Sequence, residues 1–327
     1  MGIVQTSISA YTADMKTALC CGYLCCDVMV NTPAYPEENQ KQFVDSLHIS
    51  AGGPAANAAC LLARWGVDTW LLSQSGNDHF SRKILDDLHN AGVHTDYIQQ
   101  YDGPTNCAIV ISNDANGSRT VLSRNSGKSI PVDPLLPAMN ADALLVDGHQ
   151  YNWSVALLRK HRGISVLDAG SYRHETKALL YEVSDPVVSS PFYRSLCNET
   201  AEHDGNAPIF PDFMVITDGE NPVTMLRAGK ETRIPVFPVT AIDTLAAGDC
   251  FHGAYLYGRL CDLSVSESIT LACAASAICV TRVGGCNSLP SLDETLHFLD
   301  SSGASRITGS QSSAADRKLV DKIRLAK

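Results

Sequence analysis

Two aspartates, Asp243 and Asp249, bracket the stretch with the most chemical content in this 327-residue chain, AIDTLAAGDCFHGAYLYGRL at 241–260. Phe251, Ala254, Tyr255 and Gly258 recur at helical spacing, which predicts a helix starting near Ala246 with one stripe on a core. The unpaired N–H groups of a first helical turn, with the helix dipole, favour an anion there, most simply a phosphate. Gly248 and its alanine neighbours let a ligand come close to the backbone. A carboxylate beside an anion site repels the ligand, which makes chemical sense if Asp249 takes a proton from a hydroxyl attacking that phosphate. Capping and charging a helix start is the simpler alternative for both carboxylates.

A second stretch, AGGPAANAACLLARWG at 51–66, pairs two glycines with Pro54 in a first helical turn and Gly66 at a helix end. Asn57 sits one turn in, among alanines. An amide on an apolar helix needs a partner, and a ligand hydroxyl above the glycines would supply one.

The first stretch resembles the D-T-x-G-A-G-D signature of the ribokinase-like (PfkB) sugar kinases. It matches at Asp243, Thr244, Ala247, Gly248 and Asp249 and departs at Ala246, where that family usually has glycine. The second matches the family's glycine-glycine motif with its substrate asparagine at Asn57, in the right order along the chain. The resemblance covers roughly residues 17–298 and is closest in character to the ketohexokinase and sulfofructose kinase branch. It implies ATP-dependent phosphorylation of a sugar or sugar-derivative hydroxyl. ATP and Mg2+ would present the γ-phosphate to the amides of Ala246, Ala247 and Gly248, Asp249 would act as base, and Asp27, Gly53 and Asn57 would hold the sugar.

By the same resemblance Lys41 is similar to a lid lysine of the sulfofructose kinases, and His149 falls at a substrate position where those enzymes hold an arginine. A solvated lysine and a structural histidine are the alternatives. Thr217, Gly219, Thr244 and Gly248 are implied at the nucleotide, and Asp243, Leu245 and Gly285 at a monovalent cation such as K+. The family's N-x-x-E motif, which organises magnesium, is not recognisable near residues 189–192, and Pro222 stands where a glycine is usual.

The elements that must position these residues read as an α/β fold. The run 18–30 is expected to be one buried strand leading out to Asp27. A polar segment with an alternating QFVDSLHIS run, and an alternating segment 107–123 around a turn at 114–117, read as edge strand and hairpin. In the resemblance, segments 31–50 and 105–124 form a small β-sheet lid over the sugar. From Ala141 strand and helix alternate, which argues for a doubly wound, mostly parallel sheet with helices on both faces and ligands at the strand carboxyl ends. Asp147, His149 and Asp168 fall at those ends. Residues 271–280 read as a buried small-residue helix. The expected division is an N-terminal extension at 1–16, disordered; a kinase domain at 17–298; and a Ser/Gly-rich, then basic tail at 299–327, disordered or poorly packed.

A net charge of −10 leaves no basic excess for nucleic acid or an anionic membrane, and no apolar run reaches the length of a span. No signal peptide is evident, so a cytoplasmic location is expected. The 12 cysteines lie among small apolar residues without the second close pair that a zinc site needs, and read as reduced thiols. A homodimer through the lid is implied by resemblance only. Two other readings stay open. One is a nucleoside kinase, although no run of aromatics stands near Asp27 and Lys41. The other is a catalytically idle member that binds a ligand or protein, favoured by Ala246, Pro222 and the missing motif and opposed by Asp249.

Overall fold

The computed structural model describes residues 15–45, 47–113, 115, 118–127, 141–203, 210–302 and 312–326. Strand β1 (Thr17–Cys21) turns Ala18 and Cys20 to one core layer and Leu19 and Cys21 to the other, as a strand buried on both faces must. The expected single strand to Val30 is not formed. A Cβ at Gly22 would overlap the Asp147 carboxylate, and beyond that glycine the chain turns into β2 (Cys25–Thr32), which belongs to a different sheet. Next come β3 (Leu47–Gly52), α1 (Pro54–Arg64), β4 (Asp68–Ser75), α2 (His79–Asn90) and the short strands β5 (Val93–His94) and β6 (Ile98–Gln100). Strands β7 (Cys107–Asn113) and β8 (Arg119–Arg124) form the expected hairpin; of the predicted turn, only Ala115 is among the described residues.

Alternation then sets in with β9 (Ala143–Val146), α3 (Tyr151–Lys160), β10 (Ile164–Ala169), α4 (His174–Leu179), β11 (Asp185–Ser189), α5 (Ser190–His203) and β12 (Phe213–Asp218). An antiparallel extension, β13 (Asn221–Arg227) and β14 (Lys230–Ile234), is followed by α6 (Ala247–Leu260), α7 (Val265–Cys279), α8 (Gly285–Ser288), α9 (Leu292–Ser302) and α10 (Ser312–Ala326).

The large sheet runs β14-β13-β12-β11-β10-β9-β1-β4-β5, with β6 also on β4. Its strands from β12 to β5 are parallel. Helices α1, α6 and α7 pack on one face and α3, α4 and α5 on the other, each contributing to its own apolar layer. The chain builds outward from β1 to β4, then returns to β9 and builds the other way. Loops at such a switch point part and leave a crevice at the strand carboxyl ends. Gly22 after β1 and Asp147 after β9 stand at it.

The second sheet, β3-β2-β7-β8, is the lid. It begins at Cys25, earlier than expected, and within 31–50 only the last residues are strand apart from the end of β2. Register pairs Asp27 with Ser50 and Ala108, Ala108 with Ser123, and Ser112 with Arg119. Strand parity therefore places Asp27, Ser50, Ser123 and Arg119 on one face. Val28, Val30, Leu47, Ile49, Ile109 and Leu122 share the other.

Within the tail, residues 312–326 are helical and packed, where the composition suggests disorder or poor packing. Helix α10 buries Leu319, Val320 and Ile323 against the core layer that includes α9, and Lys322 pairs with Glu267 of α7 at 2.9 Å. Three such side chains stabilise the docked helix by about 1.5–3 kcal/mol each before the ordering entropy is subtracted. Residues 1–14, which make up most of the proposed extension, and 303–311 lie outside the described residues.

Candidate active site

The site is built at the start of α6. Ala246 precedes the helix with φ 61° and ψ 7°, a left-handed conformation that costs an alanine about 1–2 kcal/mol and turns the chain sharply into the first turn. Ala247 N–H makes a long bond, 3.4 Å, to Thr244 O, while the N–H groups of Gly248 and Asp249 have no acceptor among the described residues. A Cβ at Gly248 would meet no protein atom within 4 Å. The space above these amides is open, as close approach by a ligand requires. Beyond the first turn the predicted stripe proves too narrow: α6 is buried nearly all round, between α1 and α7.

Asp249 lies partly open to the cleft and accepts a hydrogen bond from Asn57 Nδ2 at 2.7 Å on Oδ2. Burial raises its carboxyl above the usual carboxylate range, against the Asn57 bond and the charges of His252 and Arg119. Asn57 Oδ1 is buried without a partner among the described residues. A donor from a ligand would satisfy it. The amide is carried into place by Gly53, whose φ of 104° starts α1 and whose position admits no side chain, since a Cβ would come within 2.5 Å of Tyr23 O.

Asp27 faces Gly52 across the lid pairing, where a Cβ would overlap its carboxylate, and accepts from the Cys25 thiol at 3.2 Å. Burial pushes it up to about 6, with the thiol and Arg119 opposing and Asp249 adding to the rise. Asp147 has a different role. Its carboxylate accepts Tyr23 N–H at 2.7 Å, Ala55 N–H at 3.3 Å and His149 N–H at 2.9 Å, tying the β1, α1 and β9 ends together. Despite the cost of burial, His149 and these bonds hold it below the usual range.

His149 stacks on Tyr23 with ring centroids 4.7 Å apart, and its Nδ1 lies 3.1 Å from Arg173 Nη2 and 3.2 Å from Asp147 Oδ1. A guanidinium thus stands beside residue 149 although the residue itself is histidine. Thr244 Oγ1 accepts from Arg119 Nη1 of the lid at 2.9 Å, so lid and motif are already bridged. Thr217 and Gly219, the latter at φ 59°, sit at the carboxyl end of β12. Asp243 is buried and its two oxygens accept Leu245 N–H at 2.9 Å and Gly284 N–H at 3.2 Å. Leu245 packs on Met29, Ala108 and Val110 of the lid, and Gly285 lies close to Ser50 and Met29.

Lys41 is not brought to this group. It is exposed in the loop between β2 and β3, with its ammonium 5.0 Å from the Phe43 ring centroid. Where the N-x-x-E motif was expected, Ser189 Oγ accepts Phe192 N–H at 3.1 Å and Phe192 is core, so that turn offers no carboxylate. Among the described residues there is no group of three or more metal-ligating side chains.

Three contributors escaped the sequence reading: Arg119, Arg173 and Tyr23. Strand parity with Asp27 and Ser123 was an available signal for Arg119; only the tertiary fold brings Arg173 to His149.

A half-buried carboxylate beside open helix amides, at the switch point of a doubly wound sheet and under a four-stranded lid, defines the class: a ribokinase-like α/β protein. Residues 15–292 match the pfkB family of carbohydrate kinases, and the chain belongs to that family. It is 26% identical to a ribokinase of Haemophilus influenzae over 87% of this chain and 99% of that protein, and 22% identical to a ribokinase of Bacillus subtilis over 87% and 100%. Arabidopsis thaliana ribokinase, solved with ribose and ATP, superposes with a TM-score of 0.70 at 20% identity over 87% of this chain and 98% of that one. A nucleoside kinase of Methanocaldococcus jannaschii gives 0.72 at 18%, over 88% and 99%.

Proposed function

We propose that this chain is an ATP-dependent sugar kinase. The observation that carries the reading is Asp249, oriented by Asn57 at 2.7 Å on a helix turn whose Gly248 and Asp249 amides have no acceptor among the described residues. A hydroxyl seated against Asn57 Oδ1, Asp27 and Gly53 gives its proton to Asp249 as its oxygen attacks the γ-phosphorus of ATP. The phosphorus–oxygen bond to ADP breaks in line, and the amides of the first turn, those of Gly248 and Asp249 foremost, stabilise the charge on the transferred group. Arg119 adds a cation from the lid beside Thr244, and the lid keeps water from the phosphate. Thr217, Gly219 and Thr244 line the nucleotide side.

Mg2+ would supply charge neutralisation; among the described residues no cluster of three or more ligating side chains stands ready for it, so ATP oxygens and solvent would be its main ligands. Among the described residues the oxygens of the buried Asp243 carboxylate accept the amides of Leu245 and Gly284, and with the carbonyl oxygens of Leu245 and Gly285 they would make a donor set suited to K+. The outer lid face supports a homodimer: Leu47 and Leu122 are 57% and 55% exposed there, with Ile49 and Ile109 beside them at 36% and 46%. Sedimentation with Leu122→Glu tests it. The cysteines, free throughout, fit the reducing cytoplasm.

A nucleoside acceptor is the second reading, favoured by the Tyr23–His149 stack at the site. ADP release from ATP and Mg2+ across sugars, sugar acids, sugar phosphates and nucleosides decides between them; silence on every acceptor would leave the idle binding protein.

A further inference from the structure

His252 lies one helical turn beyond Asp249 and is buried. Its Nδ1 lies 2.6 Å from Gly248 O, and its Nε2 lies 3.2 Å from Val187 O of β11. Both oxygens are backbone carbonyls, which only accept. The ring makes both hydrogen bonds only when it carries a proton on each nitrogen. Asp168, at the carboxyl end of β10, places Oδ2 3.2 Å from the same Nδ1 yet accepts no hydrogen bond there, so that contact is one of charge.

From this geometry we infer that His252 and Asp168 form a buried ion pair that positions the first turn of α6 and offsets the charge of Asp249. His252 is then a positioning residue: it touches no reacting atom but holds the Gly248 carbonyl, and through it the peptide whose amide borders the anion site. The pair joins α6 to β10 and β11, so the base is referenced to two central strands as well as to Asn57. The other charged groups around it are Asp249 on its own helix, Asp147 and His149 beyond β9, and Arg119 from the lid. Burial pushes Asp168 up to about 6 and the imidazolium opposes that rise.

The inference rests on Asp249 being the base of the proposed kinase reaction, but its first test needs no turnover. Ring 15N shifts of His252 in the free, full-length protein at neutral pH are expected to show both nitrogens protonated, with this signature lost in Asp168→Asn. A single neutral tautomer in the wild type would overturn the pair whatever the protein phosphorylates. The second test is the pH profile of kcat for His252→Asn, whose amide can still donate to Gly248 O but brings no charge. Its acid limb is expected to move up by about one pH unit, with KM for the sugar unchanged. An unmoved limb accompanied only by a lower thermal midpoint would reduce His252 to a packing residue. If no acceptor is phosphorylated, the kinase reading fails and the 15N result still decides the pair.

Discussion

Asn57 on α1 donates from Nδ2 to Asp249 Oδ2 on α6, and the same amide leaves Oδ1 buried with no partner among the described residues. One side chain thus fixes the proposed base and presents an acceptor to whatever enters the cleft. Asn57→Ala frees the carboxylate to rotate and removes the acceptor. Kinetics of the purified variant are expected to show kcat lower by about 10²-fold and a raised KM for the sugar, because a base outside hydrogen-bond reach loses most of its effect. A change in KM alone would show that Asn57 binds sugar without orienting Asp249.

Asp27 carries a pH signature. Its folded carboxyl sits near 6, above its unfolded value, so its stabilising contribution is full below about pH 4 and lost as pH rises through about 6. Asp27→Asn removes that loss. Ligand-free melting curves are expected to coincide with the wild type below about pH 4 and to show the variant more stable above pH 6, by roughly 1–3 kcal/mol. Sugar binding should weaken at the same time, since a hydroxyl loses its charged acceptor.

Much of this site was legible beforehand, and the reasons are local. Gly53, Asn57, Ala246–Asp249 and the α6 start lie in short stretches where small residues, caps and helical spacing leave few alternatives. Asp147 and Asp168 were found at strand ends by alternation alone. What failed was non-local. The apolar run 18–30 gives no sign that the chain leaves one sheet for another, because the reason for Gly22 is a carboxylate that follows β9. Arg173 reaches His149 only after β9 and β10 align, and Lys41, singled out by resemblance to a lid lysine, takes the solvated alternative beside Phe43. In the tail, Leu319, Val320 and Ile323 are a sparse stripe in a basic segment, decided by the partner surface of α9 and α7.

Ala246 departs from the family's usual glycine and holds φ 61° without blocking the amides that follow. Ala246→Gly is expected to retain turnover and to raise stability by about 1 kcal/mol, since left-handed backbone is free of Cβ strain only in glycine. Ala246→Val is expected to lower it. Thermal denaturation of the pair checks both directions, and a stable valine variant would contradict the assigned strain.

Arg119 links the lid to Thr244 at 2.9 Å and lowers the carboxyls of both Asp27 and Asp249. Arg119→Ala is expected to cost about 10²-fold in kcat, with lysine restoring part because it keeps the charge and loses the fork. Single-turnover phosphoryl transfer reads this directly; an alanine variant with full rate would confine the arginine to holding the lid.

The central claim is that Asp249 is the base. Asp249→Asn keeps the shape and can still bond Asn57 through its amide, but cannot take a proton. Using the sugar that the wild type phosphorylates, ADP release and sugar binding measured side by side are predicted to show binding within a few-fold of wild type and turnover reduced by about 10²–10⁴-fold. Turnover at the wild-type rate would contradict the account.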